Sequence, residues 1–558
     1  MIDMSTPVGQ TPLDAPGGLV GQPLDRIDGP LKVRGLAPYA AEYRDLGPVA
    51  YGYLVTAGIG AGTLTALDTA AAEKAPGVLL VITHRNAPRQ GAPSKTAVPQ
   101  LAGDEIAHFG QPIALVVADS FEKARSAAYL VKPTYTTKSG DFDFKSSLGQ
   151  GAVPKGANGV PPDTGKGDAE AALAKAPVVV DVTYTTPAQT HAMMEPHATI
   201  ASWDGDALTL RTANQMLPRG VQMVCDTLLI PKEKVRLISP YVGGGFGAKL
   251  EVQADAVLAA LAARMLGHPV KVALTRQQLF HVTTHRSDTS QRVRLGADRD
   301  GGLVAVVHDS WSNNTPGQSS FETAAQATRN IYATPNLKTT HRLVTLNLPV
   351  SAAMRAPGEA VGLLALESAM DELAVALDMD PIDLREKNEP SLVPNEGKPF
   401  STRTLLPCLR EGATRFGWNK RSRVPGQMRD GDWLVGMGVS AAIRNNPMLA
   451  AKASVALDRA GMLTVRTSMT DIGTGSYTIL GQIAADMLGL PIGKVRVLLG
   501  DTTLPAAPGS GGSFGANSAG AAVYDACMTL RDQLLAKAVS RPGTRDSRTA
   551  RSCLATGA

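Results

Sequence analysis

The chain has 558 residues, with 55 Lys and Arg against 50 Asp and Glu, and a formal net charge of +5; hydrophobic residues make up 44%, charged residues 19% and aromatics 4%. That balance belongs to a globular protein of several domains and excludes a fibrous or wholly disordered chain. The positive surplus is too dilute for a nucleic-acid surface, and no apolar run approaches the roughly 20 residues that a membrane-crossing helix needs.

The first twelve residues lack the basic and apolar regions of a secretory signal, so none is expected. Cys225, Cys408, Cys527 and Cys553 form no CxxC pair. Neither a local metal site nor a disulfide framework is expected from them, and a redox enzyme of this sequence would need its clusters on another chain.

Taken in order, residues 1–30 are rich in Pro, Gly and Asp and read as an extended arm. Short strands and helices alternate up to about residue 136. The apolar run 113–118 is a strand, Ser120 caps a helix through residue 130, and Pro133 follows its end. Gly, Pro, Ser, Lys and Asp dominate 137–177, which predicts a linker. Strands are expected at 178–184 and 208–212. A pattern then recurs, in which an apolar strand or loop reaches a glycine-rich turn and a helix begins immediately after it. Strand 235–238 leads into Gly243-Gly244-Gly245-Phe246-Gly247 and a helix from about 252 to 266. Arg355-Ala356-Pro357-Gly358 precedes a helix at 359–377. Asp471-Ile472-Gly473-Thr474-Gly475-Ser476 precedes one at 477–488, and Gly509-Ser510-Gly511-Gly512-Ser513-Phe514-Gly515 precedes one at about 518–537. No sequence repeat is visible behind these segments. The tail 541–558 carries Arg541, Arg545, Arg548 and Arg551 without an apolar period and is expected to be disordered.

A helix N-terminus offers unpaired N–H groups and about half a positive charge, and glycine lets a ligand approach the main chain. Four such loops in one chain suit a cofactor with a diphosphate and a polar ring system, although glycine also serves simple turns. The loop at 243–248 fits GxGxxA, but Pro240 interrupts the strand before it. The next strand, 270–274, ends in Thr275-Arg276 where a ribose-binding carboxylate would be expected. A nicotinamide-nucleotide site, with Arg276 on a ribose phosphate, therefore stands only as an alternative. His191, Met193, Glu195 and His197 alternate, which on a strand places them on one face; a polar strand face is the expectation rather than a metal site.

Gln215 in Thr212-Ala213-Asn214-Gln215, the loop from Gly243 to Lys249, Met354-Arg355-Ala356-Pro357-Gly358, the loop from Asp471 to Ser476, and Gly500-Asp501-Thr502 with the loop from Gly509 to Gly515 occur in that order. Together they resemble the molybdenum-binding large subunit of the xanthine oxidase family of molybdenum hydroxylases. Arg26-Ile27-Asp28-Gly29-Pro30 and the segment from Lys32 to Tyr39 resemble the start of its hammerhead domain. Within that family the likeness is closest to periplasmic aldehyde oxidoreductases, above all in Ala441-Ala442-Ile443-Arg444-Asn445-Asn446. The resemblance implies a multidomain α+β chain. After the arm (1–30) come an N-terminal α/β hammerhead domain (31–140), a linker (141–177), a first molybdopterin-binding α+β domain (178–420), and a second, incomplete one (421–540) before the tail (541–558).

The same resemblance implies a molybdopterin cytosine dinucleotide, with a [2Fe-2S] small subunit and an FAD-binding medium subunit as partners. Gln215 matches the glutamine that donates to the apical molybdenum ligand, and Gly244, Gly245, Phe246 and Gly247 match the loop beside it. No side chain of this chain is expected to ligate the metal directly. Arg355 matches the pterin-side arginine. Gly473, Thr474, Gly475 and Ser476, then Ser510, Gly512 and Ser513, match loops around the pterin and its phosphates. Arg444 matches an active-site arginine that would stabilise charge on an aldehyde oxygen. The implied reaction oxidises aldehydes, aromatic ones by preference, to carboxylic acids with water as the oxygen source. The implied setting is periplasmic, by co-export with a signal-bearing partner, with the cytoplasm as the alternative.

Two departures stand out. The glutamate general base of the family belongs to a Gly-Val-Gly-Glu motif that this sequence does not contain, and the likeness stops near Leu535. The expectation is a truncated chain with little turnover of its own, or a non-catalytic remnant that still binds partner subunits. Glu359 and Asp471 are the remaining carboxylates on the motif loops. Ala248 stands where the family has glycine, which would strain a positive φ.

Overall fold

The computed structural model describes residue 13, residues 17–156 and residues 159–539. The expected disordered tail and the first part of the arm lie outside these residues. The chain divides into two compact units. One gathers the described residues of Val8–Gly140, Thr190–Thr284 and Asn445–Ala558, and the other those of Asp141–Gln189 and His285–Arg444.

The first unit is built on a seven-stranded mixed sheet. Its order is Val235–Ile238, Ala207–Thr212, Ala198–Asp204, Val270–Ala273, Ala50–Thr56, Pro112–Ala118 and Val78–Thr83. The central pairing runs parallel, Ala50 opposite Val270 and Gly52 opposite Val272. Strands from the expected hammerhead region and from the region beyond residue 178 thus share one sheet. The run 113–118 has no exposed side chain, as an interior strand must. The helix Phe121–Ala128 follows, with the Ser120 side chain accepting from Lys123 N. On the other half of the sheet the helix Ala254–Leu266 buries Val257, Leu258 and Leu261 against Leu208, Leu210 and Val272. Gly267 ends it in the left-handed conformation.

A second core in this unit lies over the strands Ser454–Leu457, Leu463–Arg466 and Val495–Leu498. The helices Ser476–Leu488 and Gly515–Val539 supply Leu480, Ala484, Ala519 and Val523 to it.

A repeat that sequence inspection missed joins these two cores. Ile230-Pro231-Lys232-Glu233-Lys234-Val235-Arg236-Leu237 parallels Leu490-Pro491-Ile492-Gly493-Lys494-Val495-Arg496-Val497. In both copies a helix ends beside a left-handed residue, Leu229 or Gly489. Proline then starts a short 3-10 turn, and a four-residue strand follows. The copies continue into Gly243-Gly244-Gly245-Phe246-Gly247 and Gly511-Gly512-Ser513-Phe514-Gly515. Unequal spacing between strand and loop hides the period. The two strand ends meet where Arg236 bonds both oxygens of Asp501, at 3.1 and 2.6 Å.

The second unit is a five-stranded sheet in the order Thr164–Lys166, Asn336–Thr345, Leu303–Asn314, Thr289–Ala297 and Val178–Thr186. The helix Glu359–Ala376 packs Leu366, Met370 and Leu373 against Val293, Leu295 and Val306. The expected linker is therefore corrected in part. Its residues form the edge strand Thr164–Lys166, paired with Asn336–Thr345, and the helix Ala169–Lys175, whose N-cap Asp168 accepts from Ala171 N. Polar composition concealed both, because an edge strand and a short surface helix need few apolar residues.

Candidate cofactor site

In the first unit, Gln215 is the point where the glycine loops converge. It follows the strand Ala207–Thr212 and precedes the helix Leu217–Leu228, and it is buried. Its backbone N donates to Lys249 O at 2.7 Å, and its carbonyl accepts from Ser510 N at 2.8 Å and from Thr470 Oγ1 at 2.7 Å. Its side-chain Oε1 accepts from Gly247 N at 3.0 Å while Nε2 donates to Ser510 O at 2.9 Å. Ser510 Oγ in turn donates to Thr470 O at 2.5 Å. Loops nearly 300 residues apart in sequence are thus tied through one side chain. A methyl on Gly245 would overlap Gln215 Oε1, so glycine there is a requirement of close approach.

Around that buried frame the loop tips are exposed: Phe246, Gly473, Thr474, Gly512 and Ser513. Phe246 and Ser513 hold φ of 54° and 62°, a left-handed conformation that side chains rarely adopt and that concentrates at functional loops. At Gly473, φ is +97° and an added Cβ would meet open space, so the glycine serves backbone conformation rather than internal packing. Asp471 is fully buried and takes up the amides of Gly473 (2.7 Å) and Ser476 (2.6 Å). It acts as an internal cap of the helix Ser476–Leu488, whose N-cap is Gly475, and not as a free base.

The loop at 243–247 departs from the expected pattern. Six residues, from Ala248 to Gln253, separate it from the helix Ala254–Leu266, so it is not that helix's N-terminus. The dinucleotide fingerprint fails for the same reason. Arg276 has a structural role here: it donates to the carbonyls of Met193 at 2.7 Å and Met194 at 3.2 Å. Lys249 fixes the loop instead. Its fully buried ammonium donates to Glu195 Oε2 at 2.7 Å and to Glu195 O at 2.9 Å, while Gly243 N donates to the same carboxylate at 2.7 Å. Burial lowers the Lys249 pKa, with the Glu195 carboxylate opposing that shift. Sequence reading did not single out Lys249 as a partner of Glu195, because nothing local signals a pair so far apart.

Residues 191–197 are irregular backbone, not the expected strand. Ala192 has φ 42°, and the segment bends. His191, Met193 and His197 are nevertheless buried. His191 Nδ1 lies 3.1 Å from Thr284 O, and His197 Nε2 lies 3.2 Å from Ala248 O. Desolvation, assisted by Lys249, pushes the His197 pKa down to about 3. Ala248 is absent from the positive-φ residues and is buried with Met193 and Leu279, so alanine there costs no backbone strain.

The second unit carries the two arginines. Arg355 is exposed, in a turn where Ala356 has φ 55° and Gly358 has φ 81°. The turn is held from beneath: Arg286 donates to Met354 O at 2.7 Å and Arg355 O at 2.6 Å, and Gly358 N donates to the buried carboxylate of Glu322. Burial raises the Glu322 pKa, against the Gly358 amide and Arg286. Arg444 is partly exposed and donates to Glu359, the first residue of the helix Glu359–Ala376. The carboxylates on the motif segments therefore have structural partners: Arg444 for Glu359, two amides for Asp471 and Arg236 for Asp501.

Comparison with known proteins places the chain in a family. Residues 34–139 match the aldehyde oxidase and xanthine dehydrogenase a/b hammerhead domain, and 153–389 and 411–549 match molybdopterin cofactor-binding domains. The chain is 50% identical to the aldehyde oxidoreductase molybdenum-binding subunit PaoC of Escherichia coli K12, across 95% of this chain and 72% of that one. The chain belongs to the molybdenum-binding large subunits of the xanthine oxidase family. Its fold is also that of quinoline 2-oxidoreductase from Pseudomonas putida 86, with a TM-score of 0.80 and 24% identity over 92% of this chain and 70% of that chain. An aldehyde oxidoreductase from Desulfovibrio gigas gives 0.79 and 25%, over 97% and 63%.

As a member of this family the large subunit takes a molybdopterin cofactor. The residues present fit such a group. Backbone amides and carbonyls, rather than charged side chains, line the convergent loops, and the open side of Gly473 and the exposed tips leave room for a polar ring system. Among the described residues no helix is long and apolar enough to cross a membrane.

Proposed function

We propose that this chain is the catalytic subunit of a molybdenum hydroxylase that oxidises aldehydes, aromatic ones by preference, to carboxylic acids. The aldehyde and one water give the acid, two protons and two electrons. The electrons leave through a [2Fe-2S] small subunit to FAD on a medium subunit, and the cofactor is the cytosine dinucleotide form. The observation that carries this reading is the convergence of the glycine loops on Gln215, in a chain half identical to an aldehyde oxidoreductase subunit.

When bound, the molybdenum centre supplies the two-electron oxidation and the oxygen transfer. The chain's own residues bind and orient. Gln215 has both amide ends fixed to backbone, which leaves its second Nε2 proton with a set direction for a metal ligand. Gly244, Gly245, Phe246 and Gly247 would line the space beside it. The loops at Gly473, Thr474, Gly475 and Ser476, and at Ser510, Gly512 and Ser513, would hold the pterin and its phosphates, with the exposed Thr474 beside the two amides that Asp471 takes up. Arg355 is assigned to the pterin by its match to the family's arginine motif. Arg444, steadied by Glu359, stabilises negative charge on the aldehyde oxygen. The setting is periplasmic, through co-export with a signal-bearing partner.

One observation favours a second reading, a subunit that holds cofactor and partners but turns over slowly. Glu359 and Asp471 are both engaged, so neither is poised as a general base. General-base catalysis is worth roughly 10²–10⁴-fold. The test is benzaldehyde oxidation in ¹⁸O-labelled water by the chain co-expressed with its partner subunits. Label in the benzoate at a rate typical of such enzymes supports the first reading. Cofactor-loaded complex with a rate lower by that factor supports the second, and a loaded complex that yields no benzoate at all contradicts the aldehyde assignment.

A further inference from the structure

The arm at the start of the chain does not end where the fold begins. Between residues 19 and 32 it runs along one face of the helix Ser476–Leu488, in the opposite direction, and meets residues spaced four apart. Leu19 N and Val20 N donate to the two carboxylate oxygens of Asp486, each at 2.7 Å. Gln482 Nε2 donates to Leu19 O at 2.6 Å and Gln22 O at 3.1 Å, and Ile27 N donates to Thr478 Oγ1 at 3.1 Å. The arm then passes the mouth of the helix. Arg26 donates to Gly473 O at 2.6 Å. Lys32, paired with the buried Asp28, lies 3.5 Å from Asp471, the carboxylate that holds the Gly473 and Ser476 amides. The Lys32 ammonium also sits 5.7 Å from the ring of Tyr241, which stacks on Tyr477.

We propose that Arg26 and Lys32 are positioning residues for the loop Asp471 to Ser476, so that the N-terminal arm is a strap whose attachment sets how firmly the molybdopterin cofactor is retained. This rests on the reading of that loop as part of the cofactor site. A buried carboxylate that caps its own loop is stable only if its charge is answered, and Lys32 answers it. A glycine-rich loop with two positive-φ residues has little intrinsic order, and Arg26 fixes one of its carbonyls by a charge-assisted bond. The strap therefore holds the loop from both sides of its exposed tip, Gly473 and Thr474, with Arg26 also lying over Gly475. Asp486 anchors the far end of the strap without touching the loop.

The test is amide hydrogen exchange of the full chain, prepared from cells without molybdenum-cofactor synthesis, together with molybdenum content of the same variants from cofactor-producing cells. Arg26→Ala and Lys32→Met are expected to speed exchange at 471–477 by about tenfold, the loss of one charge-assisted bond, and to lower retained molybdenum several-fold. Arg26→Lys is expected to recover part of both, and Asp486→Ala to reproduce both more weakly from the far end. Unchanged exchange in Arg26→Ala and Lys32→Met overturns the strap. Faster exchange with undiminished molybdenum overturns its role in cofactor retention while leaving the strap itself. A wild-type chain that carries no molybdenum overturns the reading on which the proposal rests.

Discussion

The two copies of the helix, 3-10 turn, strand and glycine-loop unit reach the same side chain by different means. The first copy brings Gly247 N to Gln215 Oε1, and the second brings Ser510 O to Gln215 Nε2. The first loop does not open a helix and is fixed by a buried ion pair, Lys249 with Glu195. The second opens directly onto the helix Gly515–Val539 and is fixed by neutral bonds among Gln215, Thr470 and Ser510. A loop that a helix continues inherits its order from that helix. A loop that hangs between a strand and a distant helix needs another anchor, and here a charge pair supplies it.

Breaking that anchor should have the largest effect. Lys249→Met leaves a largely buried Glu195 without its cation and should lower unfolding stability by about 3–5 kcal/mol, read by urea denaturation. The corresponding change on the neutral side is smaller. Gln215→Ala strands Gly247 N and Ser510 O and should cost about 2–4 kcal/mol by the same measurement, with both loops loosened together. Equal losses in the two variants would erase the contrast between an ionic and a neutral anchor.

A pH series sharpens the comparison further. His197 lies against the first loop only, and its folded pKa is depressed to about 3 from the ordinary 6.5. The folded state thus binds fewer protons than the unfolded state within that window. Its contribution is fully present above about pH 6.5 and is lost as pH falls toward 3, with a slope approaching about 1.4 kcal/mol per pH unit for one proton. His197→Gln should flatten the acid limb of a plot of stability against pH by up to one proton. An unchanged limb would show that His197 does not titrate with unfolding. The smallest effect is expected at Ala248→Gly. Because Ala248 already sits at negative φ, glycine gains nothing there and should cost about 1 kcal/mol through lost packing and added unfolded-state freedom. A stabilised variant would place strain at that residue.

Much of the frame was legible because it rests on local chemistry. The strand Val235–Ile238 and the helices Glu359–Ala376 and Ser476–Leu488 follow from apolar runs and glycines at their ends. The ordered loop motifs also carried the family. What stayed hidden was non-local or masked by composition. The partnership of Lys249 with Glu195 spans 54 residues. The strand Thr164–Lys166 exists only because Asn336–Thr345 pairs with it, although Asp168 before an alanine-rich run was a readable helix cap. The alternation at 191–197 suggested one polar strand face, but the backbone there is irregular, with a left-handed residue at Ala192, and His191, Met193 and His197 are buried, which alternation alone does not signal.

The central claim is that one buried glutamine gathers both glycine loops into a seat for a molybdopterin. Its most direct test is the molybdenum and cytosine-nucleotide content of the chain co-expressed with its partner subunits, for wild type and for Gln215→Ala. Equimolar molybdenum and nucleotide in the wild type, lost from a variant that remains folded, is the expected result. Full retention by Gln215→Ala, or a folded wild type holding neither, would contradict it.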